Sequence, residues 1–263
     1  MINSKQFAII KKDINGIVSN KSLLSGLIIV PLMFTVVIPA ILILVLHFAP
    51  EQMDDMEQIL ALLPQSMVSD DMIATIFIYM FNFVMPMFFM LIPVLASTIM
   101  AASSFVGEKE KRTLETLLYC PLSLIEIYQS KVWASFFLSM GVSLASFVVM
   151  LIIMQLGALL IIGSMVLPGL SWLFTMLVVS PTVSLLSITF IVKISAKSQS
   201  MEDAQQKSVF LIIPIILLIV AQFSGVMLIS SWYLLIAGAL FGAIAFIMMK
   251  RSTKNLTYEK MLK

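Results

Sequence analysis

The sequence predicts an all-α polytopic membrane protein with six transmembrane helices and both termini cytoplasmic. Three observations carry that prediction. Of the 263 residues, 60% are hydrophobic and only 11% are charged, whereas charges make up roughly a quarter of a soluble domain. Lipid, not water, must cover most of the surface. Six apolar stretches, at 23–48, 72–103, 132–155, 170–192, 209–229 and 231–249, each approach the roughly 20 residues that a spanning helix needs. They are continuous rather than alternating, which excludes a barrel. Finally, all 16 Lys and Arg side chains fall in connections on one face of a six-span arrangement, the asymmetry that marks the cytoplasm.

The polar segment 1–22 holds Lys5, Lys11, Lys12 and Lys21. The apolar run behind it exceeds the roughly 7–15 residues of a signal-peptide core, so it stays in place as the first span. His47 lies at the outer end of that span as an interfacial side chain. The outer loop 49–71 carries Glu51, Asp54, Asp55, Glu57, Asp70 and Asp71 and no cation. The second run is overlong and should tilt or extend into the cytoplasm. A cytoplasmic loop over 104–131 follows, with Lys109, Lys111, Arg112 and Lys131. After the third span, 156–169 is too apolar for a solvated loop. A dip back into the membrane, acceptable only under protein cover, is one reading of it. Lys193, Lys197 and Lys207 mark the next inner loop. The tail 250–263 holds Lys250, Arg251, Lys254, Lys260 and Lys263. Trp133 is placed as an inner aromatic anchor, and Trp172, Trp232 and Tyr233 as outer ones. The whole chain, 1–263, reads as a single transmembrane domain.

Several function classes drop out. One cysteine, Cys120, and one histidine, His47, leave no intramolecular disulfide and no Cys/His zinc site. A net charge of +2, without a basic stripe, argues against a nucleic-acid partner. No Asp, Glu, Lys or Arg lies inside a predicted span, although ion-coupled carriers generally need ionisable groups there. No internal repeat of the secondary-transporter kind is visible. Asn82, Gln155 and Gln222 read as interhelical hydrogen-bonding groups, worth about 0.6 kcal/mol each, ahead of a weakly polar translocation surface. Pro31, Pro39, Pro86, Pro93, Pro181 and Pro214 should bend their helices. Gly238 and Gly242 offer a close-packing surface for another helix, within the chain or across a dimer. Met80, Met85, Met87 and Met90 do not share a helical face, so they read as packing side chains rather than as a copper path.

The informative stretch runs from Gly107 to Lys131. Glu108 and Arg112 have ion-pair spacing on a helix, with Leu114, Leu117 and Leu118 as an apolar stripe beside them. Pro121 should stop that helix near Tyr119. Ser123 and Glu126 then form a capping box that starts a helix running into the third span. An apolar and charged face presented this way suits a soluble partner.

The segment Gly-Glu-Lys-Glu-Lys-Arg-Thr-Leu-Glu-Thr-Leu-Leu-Tyr-Cys-Pro-Leu-Ser, from Gly107 to Ser123, resembles the signature of ATP-binding-cassette type-2 permeases, with Arg112 where that family often has Gly. Lys131 also fits. Lys11, Lys12 and Asp13, with Asn20, Lys21 and Pro31, are similar to that family's amphipathic N-terminal helix, and Ser195–Gln206 is similar to its second cytoplasmic loop. The resemblance implies a permease subunit of an ATP-driven exporter. The subunit would pair with a second permease copy or a homologous permease, and would bind two cytoplasmic ATPase subunits. It places a cytoplasmic coupling helix in 104–131, with Glu108, Lys109, Glu110, Thr113, Glu115 and Pro121 as coupling positions and none of them catalytic. ATP and Mg would be bound by the partner ATPase, because no Gly-x-x-x-x-Gly-Lys-Ser/Thr occurs here. The implied location is the plasma membrane of a bacterium or archaeon. The alternative is a self-powered secondary transporter or channel. A membrane enzyme ranks below both, since no nucleophile is paired with a base.

Overall fold

A computed structural model describes residues 3–48, 71–111, 122–223 and 231–254. Seven helices are built from them. A short α1 (Ser4–Val18) precedes six long ones: α2 (Lys21–Phe48), α3 (Met72–Glu110), α4 (Leu124–Ile161), α5 (Leu170–Ser195), α6 (Met201–Ala221) and α7 (Trp232–Lys254). Each of the six is long and apolar enough to cross a membrane. No strand occurs among the described residues.

Local chemistry starts these helices. Asn3 and Gln6 form a capping box on α1, and the Asn20 side chain accepts from the Ser22 and Leu23 amides at the start of α2. Asp71 caps α3 through the Ile73 amide at 2.9 Å. The expected Ser123–Glu126 box opens α4: the Ser123 amide donates to Glu126 at 2.8 Å, and the Glu126 amide donates to the Ser123 hydroxyl at 3.3 Å. Each bond satisfies a donor that the first helical turn would otherwise leave open.

The spans run longer than the apolar stretches. α3 continues past the apolar stretch ending at 103 to Glu110, one of the two outcomes expected of its overlong run. α4 starts at Leu124, where the Ser123–Glu126 box was expected to start it, ahead of the apolar stretch at 132. Hydropathy marks the part of a helix that lipid covers. It does not mark where the backbone stops being helical. At 38 residues, α4 is about 57 Å long and must project well beyond a hydrocarbon core of about 30 Å.

α3 is the central helix: 78% of its most apolar window is buried, against 28% for α2 and α4 and 17% for α7. The other spans surround it and turn Ile29, Ile41, Leu44, Leu217, Val220 and Phe246 outward, as lipid-facing surfaces do. The Gly238/Gly242 surface of α7 serves an internal contact. A Cβ on Gly238 would sit 2.9 Å from Val178, and one on Gly242 would sit 3.0 Å from Thr182, both on α5. Met80 and Met85 pack in one buried cluster and Met87 and Met90 in another, as their different helical faces require.

Three prolines leave a common mark. The widened π-helical turns Met33–Val37, Met80–Val84 and Thr175–Val179 each end two residues before a proline: Pro39, Pro86 and Pro181. In each, the residue just before the proline donates its amide five residues back, as Met85 does to Met80. The proline cannot make the next such bond, so one carbonyl loses its donor. At Pro86 that carbonyl belongs to Phe81, and the Trp172 indole supplies the missing N–H at 3.0 Å. Trp172 is therefore a core residue, 1% exposed among Phe81, Phe89 and Phe147, and not an interfacial anchor. Trp133, Trp232 and Tyr233 are exposed by 42–65%, in keeping with the anchoring expected of them.

The stretch 156–169 is resolved into helix and loop. α4 runs through Ile161, and Gly163 turns the chain with φ +76°. Gln155 then clamps the backbone of Val166, accepting from its amide at 3.2 Å and donating to its carbonyl at 2.5 Å. Asn82 accepts from the Gly169 amide at 2.6 Å. Protein amides thus satisfy this apolar connection where water would serve a polar one.

Candidate functional site

The opposite end of the bundle gathers its charges. α1 lays one face, Gln6, Ile9, Ile10, Asp13 and Ile17, against the rest of the protein. Asp13 thereby becomes buried, and it needs a partner. Ser104 on α3 donates its hydroxyl to Asp13 Oδ2 at 2.5 Å. Lys131 on α4, only 2% exposed, points its ammonium into the same space. It donates to the Ser104 carbonyl at 2.5 Å, pairs with Glu108 Oε2 at 2.6 Å, and lies 3.7 Å from Asp13 Oδ2. The Phe105 ring covers it, with its centroid 5.6 Å away. Lys12, more exposed, closes the set on Glu108 Oε1 at 2.5 Å.

Two cations and two carboxylates thus balance within one cluster, with a hydroxyl and a carbonyl filling remaining positions. Three elements meet there: the N-terminal helix, the end of α3 and the start of α4. A further π-helical turn, Ala102–Val106, lies at this point with no proline to explain it. It coincides with the Ser104 carbonyl's bond to Lys131, and helices widen where a side chain enters their hydrogen-bond ladder.

The connection between α5 and α6 joins the same end. The Met201 amide donates to Glu110 Oε2 at 3.1 Å. Gly107 lies so close beneath the Met201 side chain that a Cβ there would be 2.8 Å from its sulfur. The α6 start is capped by Ser200 through the Asp203 amide, and Lys207 pairs with Asp203 at 2.6 Å. The last turns of α7 also reach this end, where Phe246, Met249 and Lys250 share a cleft with Gln6 and Ile10 of α1.

Of the coupling positions expected from sequence, three are described. Glu108 faces inward in the ion cluster, Glu110 is exposed and holds the α5–α6 connection, and Lys109 is half-buried between them. Thr113, Glu115 and Pro121 lie outside the described residues, as do Arg112 and the Leu114–Leu118 stripe. Sequence reasoning matched Lys131 to the family signature and Asp13 to the family's N-terminal helix, but placed neither of them, nor Ser104, among the coupling positions.

Nothing in this cluster can do acid–base or nucleophilic work on a substrate, because its groups are spent on one another. What it can do is hold three helices rigidly around the two ends of segment 112–121. Neither the curated proteins nor the solved structures contain a match to the chain. A family model described as "ABC-2 family transporter protein" matches residues 56–201, more than half the chain and all of the Gly107–Ser123 signature. With six membrane-spanning helices and that match, the chain belongs to the ABC-2 family of transporter proteins.

Proposed function

We propose that this permease subunit forms the translocation pathway of an ATP-driven exporter and takes its energy from separate ATPase subunits that press on segment 107–123. The observation that carries the reading is the ion cluster. Glu108 on one side of the segment and Lys131 on the other are paired at 2.6 Å and tied to Asp13 of α1. A push on the segment would therefore reach α1, α3 and α4 together through the paired ends. Glu110 extends the connection to α6.

In this reading the end carrying α1 faces the cytoplasm, as the positive charges indicate. The functional unit is a pair of permeases with two ATPases, in the plasma membrane of a bacterium or archaeon. ATP and Mg are bound by the ATPases. Glu110, Thr113, Glu115 and Pro121 shape the docking face, whereas Glu108 supports it from behind.

The test is co-purification of the tagged chain from its native membrane, with ATPase activity assayed on the product. A cassette ATPase should accompany the chain. Glu115→Arg should release it and leave the thermal unfolding midpoint of the permease unchanged. Glu108→Arg should lower that midpoint as well, because it adds a third cation beside Lys12 and Lys131. A chain that purifies alone and still transports would replace this reading with a self-powered transporter or channel.

A further inference from the structure

A cleft of about 780 Å³ opens between α1, the first turns of α4, the middle of α5 and the last turns of α7. Its size lies within the roughly 300–1,000 Å³ of small-molecule sites. Ile10, Val132, Leu185, Phe246 and Met249 make its walls apolar. Its polar groups are Gln6, Tyr128, Gln129 and Ser130, and the exposed Lys250 adds a positive charge. None of the described residues lining it is acidic.

Depth is marked by Trp133, a lining residue that is 42% exposed and stacks on Phe137 with centroids 5.3 Å apart. An exposed tryptophan on a spanning helix settles at the boundary between headgroups and acyl chains. The cleft therefore meets the bilayer where a lipid changes from polar to apolar, and its own lining makes the same change. Basic pockets between spanning helices are suited to anionic headgroups.

We propose that this cleft binds one anionic phospholipid of the surrounding bilayer. The acyl chain lies along Leu185 and Phe246, and the phosphate meets Lys250, with Gln6 and Gln129 as neutral donors. A water-soluble ligand would leave the apolar walls uncovered, and a folded protein partner could not reach this depth. The site stands whatever energises the transporter, so its failure and that of the exporter reading are separate outcomes.

The experiment reconstitutes the full chain in nanodiscs of equal phosphatidylglycerol and phosphatidylcholine, transfers it to detergent, and weighs retained lipid by native mass spectrometry. Phosphatidylglycerol should be retained about fivefold over phosphatidylcholine, the preference a single nearby cation supplies. Lys250→Glu, at an exposed position, should erase that preference without affecting folding. Leu185→Trp should fill the cleft and reduce retention of both lipids; Met249→Trp does the same from the α7 side if the first variant does not fold. Equal retention of the two lipids by the wild type would overturn the proposal, as would wild-type retention in the variants.

Discussion

The two ends of the bundle are fastened by different chemistry. At the end carrying α1, Asp13, Glu108 and Lys131 are charged and buried; Lys131 pairs closely with Glu108 at 2.6 Å, and Ser104 with Asp13 at 2.5 Å, while Lys131 and Asp13 lie 3.7 Å apart. At the other end, Asn82 and Gln155 hold the 162–169 connection through neutral amide bonds to Gly169 and Val166. The difference lies in how each fastening fails. A buried ion set is satisfied only as a whole, because removing one member strands the others in low dielectric. An amide clamp loses one bond at a time. The first end should therefore fail as a single unit, and the second as a local restraint on a loop.

The largest effect should come from Lys131→Met, which leaves two buried carboxylates without their shared cation. We expect a loss of about 3–5 kcal/mol, the range for breaking a buried pair from one side, read as a large fall in the thermal unfolding midpoint of the purified chain in detergent. Adding Asp13→Asn should recover part of the loss, since one stranded charge is then removed. A fall of under about 1 kcal/mol, as an exposed pair would give, would mean that the cluster is not a unit and would erase the contrast between the ends.

Asn82→Leu should cost less, about 1–3 kcal/mol for the stranded Gly169 amide, and its effect should stay local. Hydrogen exchange is the sharper measurement here. Amides of 162–171 should lose protection in the variant while those of α1 and the start of α4 keep theirs. Protection lost equally at both ends would show that the amide clamp, too, is part of one cooperative unit.

The unequal ends also explain what the sequence disclosed. The Ser123–Glu126 box was legible because its partners are three residues apart and their pairing is dictated locally. The six spans were legible because lipid demands length and apolarity wherever the chain crosses. Lys131 and Asp13 could be counted as inside charges, yet nothing local says that they meet. Their partnership depends on α1 folding back across α3 and α4. Trp172 was misread as an anchor for a related reason. Its place is set by a carbonyl that Pro86 deprives of a donor, on a helix 91 residues away at the hydrogen bond itself. Gly238 and Gly242 announced a close contact, but only packing against Val178 and Thr182 names the partner.

Trp172→Phe isolates that indole bond. The ring still fills the space among Phe81, Phe89 and Phe147, although its smaller volume adds a packing loss. Removing the donor should cost about 1–2 kcal/mol for the hydrogen bond with its buried carbonyl partner. Pairing it with Pro86→Ala decides the matter. If Phe81 accepts from Trp172 because Pro86 cannot donate, an alanine amide at position 86 should compensate, and the double variant should lose less than Trp172→Phe alone. Losses that simply add would make the indole contact incidental to the proline.

The smallest expected change is Gly163→Ala, at the left-handed residue that ends α4. A Cβ meets nothing within 4 Å there, so the cost is conformational alone, about 1–2 kcal/mol for an L side chain held in that region. Gly163→Asn should cost less than Gly163→Ala, because asparagine tolerates the left-handed conformation better. That ordering tests whether the loop is fixed by backbone geometry as well as by Gln155 and Asn82. If alanine and asparagine are equally tolerated, the turn has room to relax, and the two amide clamps alone hold the connection. Asn82→Leu should then open it further than its single lost bond implies.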